Sequence, residues 1–139
     1  MKIYLYYIGK PRDPRANGMA QDYLERAARY CPCESREIRP ERTDLKARHP
    51  AARLVLLDPA GKPFDSKDFT ALVERTMQTG QDLVFVVGGA DGLPPGWAAT
   101  ASLLLSLSPM TFPHELARAM LAEQIYRALA TLRGHPYPR

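Results

Sequence analysis

Four short, almost wholly apolar segments recur along the 139-residue chain, and they constrain its fold more than any other feature. They are residues 2–9, 53–58, 83–89 and 102–108. Each has the length and the β-branched, aromatic or leucine content of one strand, and each is followed by glycine, proline or polar residues. Strands that are apolar on both sides indicate a sheet covered on both faces, which is the usual environment of parallel strands.

Helical segments separate these strands. Apolar residues at helical spacing predict three helices: residues 19–30, residues from the N-cap Ser66 to about Thr79, and residues 114–134. The segment before the first helix, residues 10–18, has the composition of a loop. Gly134 provides a C-terminal stop for the last and longest helix.

Two stretches carry weaker signals. Residues 33–40 alternate weakly, which is typical of an edge strand, and residues 40–52 leave room for one or two helical turns. The alternation of strands and helices predicts an α/β fold, with a mostly parallel sheet and helices on both faces. We expect a single domain over residues 1–139.

Composition narrows the function classes. The chain is 45% hydrophobic and 24% charged, and no apolar run approaches the length of a membrane span. We expect a cytoplasmic protein, because the N-terminal apolar run resembles a strand more than a signal peptide. The net charge of +4 favours a polyanionic partner. Cys31 and Cys33 lack the spacing of redox or metal sites, so we expect reduced thiols and no structural metal.

A glycine-rich loop follows the third strand. Gly88, Gly89 and Gly92 lie where ligands bind in open α/β sheets, beyond the carboxyl ends of the strands. The G-G-x-x-G pattern is neither the dinucleotide fingerprint nor a phosphate loop. A tight structural turn and a ligand contact are both open. Asp58, at the end of the second strand, is open in the same way between a ligand contact and a turn hydrogen bond.

A stiff, apolar loop joins the last strand to the last helix. Its sequence, SLSPMTFPHELAR at residues 106–118, places two prolines four residues apart. Thr111 can cap the helix or contact a ligand, and His114 can act as a base or lie on the surface of the first helical turn. The presence of Glu115 near the N-terminus of the last helix is explained by the favourable interaction of a negative charge with the helix dipole.

These pieces together resemble one family closely. The segments LDPAGKPFDS, FVVGGADGL, SLSPMTFPHELAR, AEQIYRA and the tail RGHPYPR occur in this order, after the N-terminal strand KIYLYYIGK. This pattern resembles the ribosomal large-subunit pseudouridine-N3 methyltransferases of the SPOUT class, and the resemblance covers essentially the whole chain. Three departures are visible: residues 40–52 are fewer than usual, Phe64 stands where tryptophan is frequent, and Pro138 replaces a usual histidine.

The resemblance implies a C-terminal trefoil knot, a homodimer, and S-adenosylmethionine bound in the knot. It implies methyl transfer to N3 of a pseudouridine in 23S ribosomal RNA, within the assembled ribosome. No metal is needed, because the sulfonium already activates the methyl group. The implied donor-binding residues come from three strand ends: Leu57, Gly88, Gly89, Leu107, Ser108, Pro109, Met110, Thr111 and Phe112.

Removal of the N3 proton requires a base, or cationic groups that stabilise the developing charge. The candidates are His114, Tyr137 and Arg139, with His135 as a fourth. Candidate contacts to the RNA backbone are Arg118, Arg127 and Lys10. Two other classes stay open: a non-catalytic RNA-binding module of the same fold, and a nucleotide-dependent oxidoreductase that uses the glycine loop.

Overall fold

A computed structural model describes residues 1–137 and shows a five-stranded parallel sheet. The strands, in chain order, are β1 (Ile3–Ile8), β2 (Cys33–Ile38), β3 (Arg53–Pro63), β4 (Leu83–Val87) and β5 (Leu103–Ser106). Their order across the sheet is β2-β1-β4-β3-β5. All five residues of the central strand β4 are buried, as expected for a parallel strand covered on both sides. The prediction of a parallel α/β fold is confirmed.

The helices are α1 (Pro14–Ala27), α2 (Leu45–Arg48), α3 (Ser66–Thr79) and α4 (His114–Leu132). The three long helices bury their apolar residues in one cluster on a single face of the sheet. The other face is covered by the single turn of α2 and by the segment around Trp97. The helices therefore lie on both faces, as predicted, but unevenly, and residues 40–52 form only short helical turns.

Two predicted helix starts are wrong. Helix α1 begins at Pro14 instead of residue 19, because the Asp13 side chain caps it by accepting hydrogen bonds from the amides of Arg15 and Ala16. Helix α3 is capped by Asp65, in a reciprocal capping box with Asp68, so Ser66 is its first residue instead of its N-cap. In both cases the polar cap lies outside the apolar spacing that predicted the helix.

Strand β3 is longer than predicted because it resumes after a bulge. Leu57 and Lys62 both lie opposite Leu105 of β5, and residues 58–61 loop out between them. A Cβ atom at Gly61 would lie 2.7 Å from the Leu104 carbonyl carbon, so only glycine fits this close approach. The chain after β3 therefore runs tightly along β5. The trefoil knot stays a prediction from the resemblance.

No helix in residues 1–137 is long and apolar enough to cross a membrane.

We expect Gly61→Ala to lower the free energy of unfolding by about 2 kcal/mol, because the added methyl group overlaps the backbone of β5. Chemical denaturation measures this change. The control is Gly18→Ala in α1, where an added Cβ meets no atom within 4 Å; this variant should gain about 0.5–1 kcal/mol. Equal stability of Gly61→Ala and wild type would contradict the account of β3.

Candidate functional site

A cavity of about 330 Å³ lies at the carboxyl ends of three neighbouring strands. Leu57 of β3, Val87 of β4 and Leu105 of β5 form its floor. Carboxyl ends of parallel strands meet at one edge of a sheet, so three segments distant in sequence converge here. The cavity is therefore where an open α/β sheet is expected to bind a small molecule.

The loop between β5 and α4 forms one wall of this cavity. Ser106 Oγ donates to the Ser108 carbonyl at 2.9 Å, and the Met110 amide donates to Ser108 Oγ at 3.0 Å. These bonds and the two prolines give the loop a fixed shape without glycine.

Eight of the nine predicted donor-binding residues line the cavity. They are Leu57, Gly88, Gly89, Leu107, Ser108, Met110, Thr111 and Phe112. Pro109 belongs to the same loop but is not among the lining residues. The structure thus brings together the three strand-end segments that the sequence singled out, while their role in donor binding stays a prediction.

The glycine loop makes a tight turn and also lines the cavity. A Cβ atom at Gly88 would lie 2.6 Å from the carbonyl carbon of Gly92, and one at Gly89 would lie 3.0 Å from the Ile8 carbonyl oxygen. Gly92 itself has a φ of 78°. A side chain at Gly88 would therefore distort the turn itself. Weaker ligand binding by such a variant would not show whether Gly88 contacts the ligand or only maintains the turn.

The capping interpretation of Thr111 is wrong. Helix α4 begins at His114 with Pro113 at the N-cap position, and no side chain makes a capping hydrogen bond there. Thr111 and His114 line the cavity instead. His114 is thus placed at the site, and its catalytic role stays a prediction.

Glu115 connects the two ends of the chain beside the cavity. Its carboxylate accepts hydrogen bonds from the amides of Arg12 and Asp13 and from Asn17 Nδ2. The amide of Arg12 contributes most to lowering the pKa of Glu115 below its usual value. The helix dipole alone is therefore an incomplete explanation. This carboxylate anchors the loop before α1 to the first turn of α4.

Asp58, which the sequence left open between a ligand contact and a turn hydrogen bond, lines the cavity. Asp58 Oδ1 accepts a hydrogen bond from the Ala60 amide at 2.9 Å, which confirms the turn interpretation. Asp58 is also the only carboxylate among the described residues that line the cavity. Sequence reasoning missed other lining residues, including Pro59, Val87, Leu105 and Ala117. Their positions at strand ends or on the first turns of α4 were the available signal.

The described part of the tail, residues 133–137, lies along α4 and does not line the cavity. Tyr137 donates its hydroxyl hydrogen to Glu123 Oε2 at 2.6 Å, and its ring lies 4.7 Å from that of Tyr126. Glu123 is nine residues beyond His114, or about 14 Å along the helix. Burial, followed by the bond to Glu123, raises the pKa of Tyr137, so in this position the phenol is a donor and not a base.

Of the other two predicted catalytic residues in the tail, the structure describes His135 but not Arg139. His135 Nδ1 accepts a hydrogen bond from the Tyr137 amide at 3.2 Å, so His135 also lies outside the cavity. Arg139, the third predicted catalytic residue, lies outside the described residues. Of the predicted catalytic residues that the structure describes, His114 alone lies at the cavity.

The three predicted RNA-contacting residues differ in their surroundings. Lys10 is exposed. Arg127 forms an ion pair with Glu123 at 2.7 Å. Arg118 is buried, and its guanidinium carbon lies 3.8 Å from the centre of the Tyr7 ring.

Comparison with known proteins agrees with this geometry. A family model described as "Predicted SPOUT methyltransferase" matches residues 1–138. A protein of Solibacter usitatus named "Ribosomal RNA large subunit methyltransferase H" is 67% identical over 139 residues, with 100% of both chains covered. A protein of the same name from Sorangium cellulosum is 42% identical, with 99% of both chains covered.

Solved structures share the fold at low sequence identity. A probable methyltransferase from Bordetella pertussis matches with a TM-score of 0.61 and 15% identity, covering 91% of this chain and 93% of that one. The SpoU methyltransferase AviRb from Streptomyces viridochromogenes, described in complex with the cofactor AdoMet, matches with a TM-score of 0.52 and 15% identity. It covers 91% of this chain and 57% of that one.

The fold defines an α/β protein with a parallel sheet and a small-molecule cavity at the carboxyl ends of its strands. The family model and the full-length relatives make the assignment specific: the chain belongs to the SPOUT methyltransferase family.

The Glu115 anchor predicts acid sensitivity. A carboxyl group whose pKa is lowered on folding stabilises the fold above its unfolded pKa, near 4.5, and loses this contribution as the pH falls through the folded value. Glu115→Gln should therefore lower the melting temperature more at pH 7 than at pH 3.5. Thermal scans of both proteins at the two pH values measure this, with the exposed Glu74→Gln as control. An equal effect at both pH values would rule out the anchor.

Proposed function

We propose that the protein transfers a methyl group from S-adenosylmethionine to N3 of a pseudouridine in 23S ribosomal RNA. The observation that carries this proposal is the strand-end cavity, in which three separate segments meet. The full-length relative at 67% identity, named as a large-subunit ribosomal RNA methyltransferase, supports the same substrate class. A cytoplasmic location and a ribosomal partner follow from this proposal, and the net charge of +4 fits an RNA substrate.

The cavity fits the methyl donor in its chemistry. Leu57, Val87, Leu105, Leu107 and Phe112 offer apolar walls for the adenine ring and the aliphatic carbons of the donor. The backbone of the two loops offers amides and carbonyls for the polar edge of the adenine. Asp58 supplies one carboxylate for ribose hydroxyls or for the positive charge of the donor. When bound, S-adenosylmethionine supplies an activated methyl group, and the residues of this chain orient it and exclude water.

On the target side, His114 is the catalytic candidate within the protomer. It lines the cavity and can take the N3 proton or stabilise charge on the uracil oxygens. Tyr137 and Arg139 complete the proposed site only if the tail reaches a cavity. In its described position, Tyr137 is held by Glu123 about 14 Å along α4 from His114. We therefore assign the tail to the cavity of a neighbouring subunit.

A groove beside α1 and α4 supports the proposed homodimer. It has a volume of about 480 Å³ and is lined mainly by apolar side chains. Met19 and Leu116, which border it, are 51% and 42% exposed. Glu123, which holds Tyr137, also lines this groove. A second copy that covers the groove would thus come next to the tail, as transfer of the tail between subunits requires.

A non-catalytic RNA-binding module is the alternative, because Pro138 stands where the resembling family has a histidine. Donor binding and methyl transfer by the purified protein distinguish the two functions. An RNA-binding module would show neither.

Ala117 offers a direct test of the donor cavity. It lies on α4 with its side chain lining the cavity, so Ala117→Leu should fill the space without breaking the helix. We expect S-adenosylmethionine to bind at least about tenfold more weakly, with little change in melting temperature. Calorimetry measures both. Ala71→Leu on α3, away from the cavity, is the control. Affinity within twofold of wild type would remove this cavity from donor binding.

The tail has its own test. Deleting residues 137–139 should abolish methyl transfer to ribosomes while leaving donor binding nearly intact. Normal methylation by the truncated protein would refute the role of the tail.

Mixed dimers then show which cavity the tail serves. A truncated subunit paired with an Ala117→Leu subunit contains one intact cavity and one intact tail, on different chains. At a donor concentration that leaves the Ala117→Leu cavity largely empty, transfer between subunits predicts that the mixture recovers part of the methyl transfer that each variant lacks alone. A mixture as inactive as its parents, with mixed dimers confirmed by mass spectrometry, would place the tail in the cavity of its own chain.

A further inference from the structure

A second cavity, of about 470 Å³, lies between α1 and the edge strand β2. Its polar lining consists of Tyr7, Asn17, Gln21, Glu25, Ser35 and Arg118. The methyl-transfer chemistry assigned above uses none of them. Ala117 lines the donor cavity and Arg118 lines this one, so consecutive residues of α4 connect the two. We call this space the Arg118 cavity.

Arg118 is buried and has no counter-ion within the described residues, which is unusual for an arginine. Its exposed fraction is 5%, and within residues 1–137 its Nε has no hydrogen-bond partner and its guanidinium forms no ion pair. The guanidinium stacks on the Tyr7 ring at 3.8 Å, which occupies its flat face and leaves its N–H edge for hydrogen bonds. A buried cation without a counter-ion is costly for the fold, and an anion in the cavity would offset this cost by accepting hydrogen bonds from the N–H edge.

A second unpaired polar atom lies in the lining of the same cavity. Asn17 Oδ1 is buried without a hydrogen-bond partner in the described chain, while Nδ2 of the same side chain donates to the Asp13 carbonyl and to Glu115. These two bonds fix the orientation of the amide and leave Oδ1 as an acceptor. The Arg118 cavity thus lacks an anionic acceptor for Arg118 and a hydroxyl or amine donor for Asn17. The sugar-phosphate backbone of RNA carries both groups.

We propose that Arg118 binds a phosphate group of the RNA strand next to the methylated nucleotide. This inference rests on the proposed RNA methylation. Consecutive residues of α4 line the donor cavity and the Arg118 cavity, so a nucleotide next to the methylated one could place its phosphate at Arg118. Glu25 is the only carboxylate in the described lining, and it accepts a hydrogen bond from Gln21 Nε2 at 3.1 Å. Its negative charge opposes the phosphate, so removing it should tighten the contact.

The main test is Arg118→Met, which keeps the length of the side chain and removes its charge. The dissociation constant for ribosomes from cells lacking this protein should rise about tenfold, as for a lost charge-assisted contact. The KM for ribosomes should rise in parallel, while kcat and the affinity for S-adenosylmethionine stay within about twofold. Glu25→Gln should bind ribosomes more tightly. Arg75→Gln, an exposed arginine on α3, is the control and should behave as wild type.

Salt dependence identifies the bound group. Loss of one phosphate contact lowers the slope of log affinity against log salt concentration by about 0.7. An unchanged slope with weaker binding would mean that Arg118 contacts a base or a ribosomal protein, and would overturn the phosphate assignment. Unchanged ribosome affinity in Arg118→Met would overturn the site altogether.

Thermal stability separates binding from a structural role. We expect the melting temperature of Arg118→Met to stay within about 3 °C of wild type or to rise, because the variant no longer buries an unpaired charge. A large fall in melting temperature, with donor affinity falling in step, would make Arg118 a structural residue and refute the proposal. Ribosome binding is measured without turnover, so these results hold even if wild type transfers no methyl group, an outcome that would refute only the proposed function.

Discussion

The position of β3 between β4 and β5 determines where the site can be. Because the three strands are parallel, their carboxyl ends meet at one edge, and the residues that follow them surround one space. The pairing of Lys62 and Pro63 with β5 holds the end of β3 against that strand, and Gly61 permits the close approach. The cavity depends on this packing, since its floor consists of the last residues of these strands.

Helix α4 organises the rest of the molecule around that edge. Its first residue, His114, lines the donor cavity, and Arg118, four residues later, lines the second cavity. Between them, Glu115 holds the loop before α1 through hydrogen bonds to backbone amides. Farther along, Glu123 holds Tyr137. One helix thus presents the donor cavity, the proposed phosphate site and the tail in a fixed order.

Much of the fold could be predicted from the sequence, because the spacing of apolar residues within short segments indicates the strands and helices. Apolar runs located four strands, and the weak alternation of residues 33–40 located the edge strand. The start of α1 was missed since Asp13 and Pro14 precede the apolar spacing that defines the helix. The return of β3 after its bulge was missed because it depends on β5, more than 40 residues away in the chain.

The sequence predicted most of the residues that line the donor cavity, but not the contacts that those residues and their neighbours make. The strand-end positions and the family resemblance together named most of the lining of the donor cavity. No local pattern could show that Glu115 bonds to Arg12 or that Arg118 is buried against Tyr7, since these contacts join the two ends of the sequence. The hydrogen bond between Tyr137 and Glu123 could not be predicted from a local pattern either. It holds a predicted catalytic residue away from the cavity.

The central claim is that this chain methylates N3 of a pseudouridine in large-subunit ribosomal RNA. Mass spectrometry of 23S RNA tests it most directly, using ribosomes from cells without the protein, incubated with purified protein and S-adenosylmethionine. The account predicts one added methyl group, on a pseudouridine, that requires both the protein and the donor. Unmodified RNA, or a methyl group on any other type of nucleotide, would contradict it.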